Sequence, residues 1–182
     1  SYGKGQFIDD KTFEVNGRQL KSRTFLVATG SRPTVPPVEG LKEAGFLTNE
    51  EVFNVKNRPD AIAVIGAGPI GCELGQSFSR LGSKVTLLAS RDVIMPKEDP
   101  EAAAVVQKQL QSEGLTILNN TRAKKVDVID GKKHIFTGNE TIVVDEILIA
   151  TGRTPNVGSL NLEAAGVNYD KKGIKVDAKL RT

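Results

Sequence analysis

The segment AIAVIGAGPIGCELG, from Ala61 to Gly75, constrains this chain more than any other. An apolar run, Ala61 to Ile65, leads directly into a glycine-rich turn and then a helix, the pattern of a buried parallel strand that opens a βαβ unit. Gly66, Gly68 and Gly71 have the G-x-G-x-x-G spacing, with Ala67, Pro69 and Ile70 between them. Each glycine answers a different steric demand. Gly66 permits the tight turn off the strand, Gly68 the approach of a pyrophosphate to the backbone, and Gly71 the close packing of helix on strand. Phosphates are then expected on the free N–H groups and positive dipole end of a helix that starts near Pro69. Glycine turns also arise for purely steric reasons, so the spacing alone is weak. The preceding apolar run, and Gly75 one turn further along the same smooth helix face, favour nucleotide binding.

A chain of 182 residues has room for one good core, or for one core and part of another. Its 38% hydrophobic and 26% charged residues place it with ordinary globular proteins and not with disordered ones. No apolar run approaches the roughly 18 residues of a membrane-spanning helix, and SYGKGQF at the N-terminus has no signal-peptide pattern. The single cysteine, Cys72, excludes an internal disulfide and leads us to expect a reducing, cytoplasmic setting. The net charge of +3 is small. Lys124-Lys125 and Lys171-Lys172 lie in segments that alternate with apolar residues and read as solvated strand faces and turns. With only seven Phe, two Tyr and no Trp for base stacking, nucleic acid is not an expected partner, and neither is a membrane.

Along the chain, residues 1–27 alternate polar and apolar around Asn16-Gly17, a strong hairpin signal, which predicts a small antiparallel meander. A buried strand is expected at Phe25 to Ala28. SRPTVPPVEG, rich in proline, is expected to be an irregular linker. Residues 48–56 read as a short helix capped by Thr48 or Asn49, with Glu50 and Glu51 in its first turn. From Ala61 the pattern is strand 61–66, helix 69–81 ended by Gly82, and strand 84–89. A helix follows, capped by Asp99 with Pro100 first and closed by Gly114, and then a strand at 115–118. TRAKKVDVID, KKHIFTG and ETIVVD form a second meander that turns at Asp130-Gly131. EILIATG at 146–152 is another buried strand, and GIKVDAKLRT one more short strand. The fold class is α/β: a Rossmann-like βαβ parallel sheet with an antiparallel β-meander.

The two ends of the chain echo each other: FLVATGSRP at 25–33 and ILIATGRTP at 147–155 both run apolar strand, Ala-Thr-Gly, basic residue, Pro. These two segments, with VIGAGPIGCELGQSFSRLGSKVTLL between them, resemble the pyridine nucleotide–disulfide oxidoreductases, a flavoenzyme family. GSKVTLLA and KEDP are most similar to its mercuric reductase-like members. The resemblance spans nearly the whole chain and implies a fold of the FAD/NAD(P)-binding type. It implies that residues 1–45 are a partial FAD-domain segment, 46–156 the NAD(P)-binding domain, and 157–182 the start of the return to the FAD domain. It also implies cofactor contacts from Ala28, Thr29 and Gly30 in the first ATG segment and from Gly152 and Arg153 in the second.

The family's FAD fingerprint, its redox-active C-x-x-x-x-C, its Gly-Asp flavin motif and its C-terminal dimerisation domain with a catalytic His are not in this sequence. The resemblance therefore implies a piece of an enzyme, inactive alone, whose parent passes hydride from NADPH to FAD and on to a dithiol and is a homodimer. No residue here is assigned a catalytic or metal-binding role. His134, in a meander strand, reads as a surface histidine and Cys72 as a packing residue. In the family the residue matching Glu73 meets the flavin–nicotinamide junction; Glu73 near a helix N-terminus also stabilises the helix without any such role.

The strand KVTLLA should end beside the adenine ribose, where NAD-specific sites place a carboxylate. Here Ala89, Ser90 and Arg91 follow, with Lys97 in the same loop, a set suited to a 2′-phosphate. NADPH is therefore favoured over NADH, although Asp92 is placed to serve an NAD ribose if the strand ends later. Two other readings are a regulatory dinucleotide-binding module without chemistry and a simple dehydrogenase. The second needs a catalytic Tyr-Lys or His, for which only Tyr169 and His134 are at hand, in unsuitable contexts.

Overall fold

The structure, a computed structural model, describes residues 3–182; Ser1 and Tyr2, at the start of the expected first meander, lie outside the described residues. Its contacts divide the chain into two units, Pro33–Gly152 and a second made of the residues before and after it.

In the second unit, β1 (Gly5–Phe7), β2 (Thr12–Val15) and β3 (Arg18–Lys21) form the expected antiparallel meander. Asn16 and Gly17 turn the β2–β3 hairpin with φ of 52° and 76°, the left-handed conformation that this residue pair tolerates. Phe25–Ala28, expected as a buried strand, is not one. Phe25 and Val27 pack on the cluster around Phe7, Leu160 and Leu162, while Leu26 is 93% exposed. Apolar alternation reports which side chains are buried, but a strand also requires a hydrogen-bonding neighbour, and no described strand pairs with this segment.

The proline-rich stretch is less irregular than expected. It contains β4 (Ser31–Pro33), and a single helical turn, α1 (Leu41–Ala44), follows directly after Gly40 and buries Leu41 completely. Residues 33–45, expected with the first segment, thus pack with the Pro33–Gly152 unit. Thr48 does cap the next turn: its Oγ1 accepts from Glu50 N (3.1 Å), and the Glu51 carboxylate accepts from Thr48 N (3.0 Å). Only a 3₁₀ turn, Val52–Asn54, follows in place of the helix expected over 48–56. It buries Val52 alone and leaves Phe53 80% exposed, too little apolar face to hold further turns.

From there the pattern is as expected, within a residue or two at each end: β5 (Ala61–Ile65), α2 (Pro69–Arg80), β6 (Lys84–Leu88), α3 (Pro100–Ser112) and β7 (Thr116–Leu118). A three-stranded meander comes next, β8 (Lys125–Ile129), β9 (Lys132–Phe136) and β10 (Thr141–Val144), and then β11 (Glu146–Ile149). The main sheet has the order β11-β5-β6-β7 and is parallel throughout. Its central strand is covered on both faces, which is why it reads as an unbroken apolar run. Ile62 and Val64 join Val85, Leu87, Phe78 and Leu110 in one cluster. Ala63 and Ile65 join Val126, Ile135 and Ile142 of the meander in the other, so a second sheet does the work that helices do on both faces of a doubly wound fold.

Caps and clamps hold the helices. Asp99 Oδ1 accepts from Glu101 N (2.9 Å) and Ala102 N (3.0 Å), and Pro100 fills the first helical position of α3. Glu113, at the end of α3, receives the Arg80 guanidinium (2.8 and 2.7 Å) together with the Gln76 and Gln109 amides. These donors hold its carboxyl at about 2, the Arg80 hydrogen bonds contributing most. Half-buried Lys133 on β9 pairs with Glu146 and donates to Gly45 O (2.8 Å), tying the meander to β11.

The chain then forms β12 (Arg153–Pro155), a 3₁₀ turn over Leu162–Ala165, and a hairpin of β13 (Tyr169–Asp170) and β14 (Gly173–Ile174). β12 pairs with β4. This pairing accounts for the echo between the two ATG segments: Thr34 N donates to Gly152 O (2.9 Å) and Asn156 N to Gly30 O (3.0 Å). Thr29 Oγ1 donates to Asn156 O (2.8 Å), and Arg153 Nε to Ser31 Oγ (2.8 Å).

Candidate functional site

A cleft of about 710 Å³ opens in the Pro33–Gly152 unit beyond the carboxyl ends of β5 and β6, where open α/β sheets bind ligands. Its floor is the turn from β5 into α2. Gly66 there has φ +112°, and a Cβ on it would stand 2.5 Å from Ala150 O. Gly71 is buried under the turn, with a Cβ only 2.0 Å from Gly66 O. Both positions therefore require glycine for the fold itself.

Gly68 does not. Its φ of −80° and ψ of −178° suit any residue, and a Cβ on it would meet nothing within 4 Å. Neither backbone nor packing demands glycine at this position, and what its missing side chain leaves is open cleft. Gly68 is also the N-cap of α2 and offers no side-chain cap, so the leading N–H groups of a long helix face the same opening with its positive dipole end. A cradle of this kind fits the pyrophosphate of a dinucleotide.

The second wall is the loop after β6. Ile94 is fully buried and Met95 N donates to Ala67 O (2.7 Å), which pins the loop to the glycine turn. Met95 adopts φ +44° to do so, an uncommon conformation for an unbranched bulky residue. Among the expected residues, Gly66, Ala67, Gly68, Pro69, Ile70, Ala89, Ser90, Arg91, Lys97 and Gly152 all line the cleft. Gly71 supports it from below. Asp92 lines a neighbouring hollow of about 250 Å³ against α3 instead. Glu73, on the second turn of α2, lies off the cleft wall, and Ala28, Thr29, Gly30 and Arg153 belong to the other unit.

Two parts of the wall were not expected. Pro36, Pro37 and Val38 line one side, from the stretch read as a linker. Thr121, Arg122 and Ala123 line another, from residues read as the start of a meander strand. Thr121 N donates to Ala89 O (2.9 Å) and Asn120 N to Arg91 O (2.8 Å), so this segment is held beside the end of β6 and β8 begins only at Lys125. The usable signal was positional: loops after successive parallel strands converge on one edge of the sheet.

The remaining chemistry-bearing residues lie elsewhere. Cys72 is 4% exposed, its Sγ 3.7 Å from Ala67 O; burial, and next the charge of Glu73, push the thiol up to about 11. His134 is half-buried on β9, between Asp127 and Val143 in register. The Tyr169 hydroxyl donates to Glu163 (2.5 Å), which holds it above the usual phenol range. Among the described residues no group of three or more His, Cys, Asp or Glu is placed to hold a metal ion, and no helix is long and apolar enough to cross a membrane.

The mercuric reductase of Staphylococcus aureus is 40% identical over 175 residues, covering 94% of this chain and 32% of that protein. The mercuric reductase of Acidithiobacillus ferrooxidans is 42% identical over 186 residues, covering 99% and 34%. A dihydrolipoyl dehydrogenase of Thermus scotoductus is 37% identical over 194 residues, covering 99% and 41%. The chain thus spans about a third of the length of the mercuric reductases it matches. Among solved structures, the HOCl-induced flavoprotein disulfide reductase RclA of Escherichia coli superposes with a TM-score of 0.92 at 28% identity, over 99% of this chain and 42% of that one. The family profile described as pyridine nucleotide-disulphide oxidoreductase matches residues 1–182, and with the glycine turn and the parallel sheet β11-β5-β6-β7 beneath it, the chain belongs to that family.

Proposed function

We propose that Pro33–Gly152 is the pyridine-dinucleotide domain of a flavin-dependent oxidoreductase and that its cleft takes NADPH in preference to NADH. The observation that carries this reading is Gly68, a glycine that the fold does not need and that holds open the approach to the N-terminus of α2. The N–H groups of that turn would hold the pyrophosphate, and Ser90, Arg91 and Lys97 would meet the 2′-phosphate of the adenosine ribose. Ala89 at the end of β6 removes the carboxylate that would repel such a phosphate. A dinucleotide held by these residues would supply hydride for FAD in the parent, from which electrons would reach a redox dithiol. The chain's own part is to bind and orient the dinucleotide. The dithiol comes from outside these 182 residues, which contain one cysteine, and Glu73 would meet the flavin–nicotinamide junction only in the longer parent, which we read as a homodimer.

Titrating NADPH and NADH against the chain tests the cofactor choice. Charge-assisted hydrogen bonds contribute about 1.5–3 kcal/mol each, so a preference for NADPH of about ten-fold or more is expected. It should shrink as salt rises, because exposed charges are screened over about 10 Å at 0.1 M. Ala89→Glu with Arg91→Ala should reverse it. Wild-type preference for NADH would overturn the assignment.

A further inference from the structure

Positive side chains line the cleft in addition to the helix terminus, and one of them comes from the loop after β7. Arg91 and Lys97, from the loop after β6, share the wall with Arg122, and Glu98 is the carboxylate that lines it. All three cations are exposed residues, and none has an ion-pair partner among the described residues. Arg58, Arg80, Lys132 and Lys133 in the same unit are each paired with a carboxylate.

Position separates this charge from the helix terminus. The N-terminus of α2 follows β5, whereas Arg91 follows β6 and Arg122 follows β7. Neighbouring strands lie about 4.8 Å apart, so the two arginine loops leave the sheet about one and two strand spacings beyond the phosphate turn. The hydrogen bonds from Thr121 to Ala89 and from Asn120 to Arg91 lock these loops side by side. The cleft therefore has two anion-attracting positions, a dipole end and, separated from it, a pair of guanidinium groups on adjoining loops. A ligand with two separated anionic groups matches that arrangement.

We propose that Arg122 is a specificity-determining residue, which closes with Arg91 on a phosphate monoester carried by the adenosine ribose. The proposal rests on the reading of the cleft as a dinucleotide site and adds a residue to it. Two planar guanidinium forks from adjoining loops can share the three outer oxygens of a monoester, whereas a ribose hydroxyl offers no dianion to grip. Arg122 thereby distinguishes the phosphorylated dinucleotide from the unphosphorylated one and leaves the binding of the remainder unchanged.

The test is calorimetric titration of the 182-residue chain with NADPH, NADH and adenosine 2′-monophosphate, for wild type, Arg122→Ala and Arg122→Lys. Arg122→Ala should weaken NADPH and adenosine 2′-monophosphate about ten-fold and leave NADH and the melting temperature unchanged. Arg122→Lys should recover part of the loss as a point charge without the fork. Equal loss for NADPH and NADH, or no loss for either, overturns the proposal while leaving the dinucleotide cleft standing. A wild-type chain that binds neither dinucleotide overturns the reading of the cleft itself.

Discussion

Gly68 and Gly71 lie three residues apart in one turn, and the structure assigns their substitution opposite outcomes. At Gly68 the backbone is extended and an added Cβ meets nothing within 4 Å, so alanine fits without displacing anything and valine is free of any clash at its Cβ. Two small terms remain. Alanine is a poorer N-cap than glycine, by roughly 0.5–1 kcal/mol. Replacing glycine also removes freedom from the unfolded chain, which stabilises by about 0.4–1 kcal/mol. They oppose each other, and the net change in folding stability is expected within about 1 kcal/mol of zero. Dinucleotide binding should nevertheless be lost in Gly68→Val, because its side chain stands where a phosphate reaches the N–H groups of α2. At Gly71 a Cβ would lie 2.0 Å from Gly66 O, a backbone atom that cannot turn aside. Overpacking typically costs about 1–3 kcal/mol, and a clash this deep against backbone puts Gly71→Ala at about 3 kcal/mol or more. Urea unfolding supplies the stabilities, provided the slope m stays constant, and calorimetry with NADPH supplies the affinities. A Gly68→Val chain destabilised by more than about 2 kcal/mol, or one that binds NADPH as wild type does, would refute the reasoning; so would a Gly71→Ala chain of unchanged stability.

Two further outcomes follow from the titrating groups. Glu113 is held at about 2 against an ordinary value of 4.5, so the folded state keeps it ionised more strongly than the unfolded chain does. Its contribution is complete above the unfolded value and is lost as pH falls from about 4.5 through about 2; urea midpoints of Glu113→Gln should therefore fall less steeply than wild type across that window. The Cys72 thiol, raised to about 11 by burial, is protonated at neutral pH. A thiol reagent at pH 8 should label it at a rate set by unfolding, and rapid labelling of the native chain would contradict its burial.

Short-range sterics determined what the sequence by itself made legible. The glycine spacing, the apolar run of Ala61–Ile65, the Asp99-Pro100 cap, and the Asn16-Gly17 and Asp130-Gly131 turns each specify local geometry through neighbours a few residues away. From them the βαβ unit, both meanders, and the contributions of the glycine turn and the β6 loop to the cleft could be read. Tertiary structure decided the rest, because it turns on partners distant in the chain. Phe25–Ala28 has the pattern of a strand but no ladder, while the proline-containing Ser31–Pro33 is a strand because Arg153–Pro155 comes to lie beside it. Asp92 and Arg91 are adjacent in sequence, yet buried Ile94 and the bond from Met95 to Ala67 set the loop so that one lines the cleft and the other the hollow beside α3. Arg122 was read as part of a strand because local alternation continues through it. Only the hydrogen bonds from residues 120 and 121 to the end of β6 draw it to the cleft wall, and no local pattern encodes a bond to a carbonyl about thirty residues earlier.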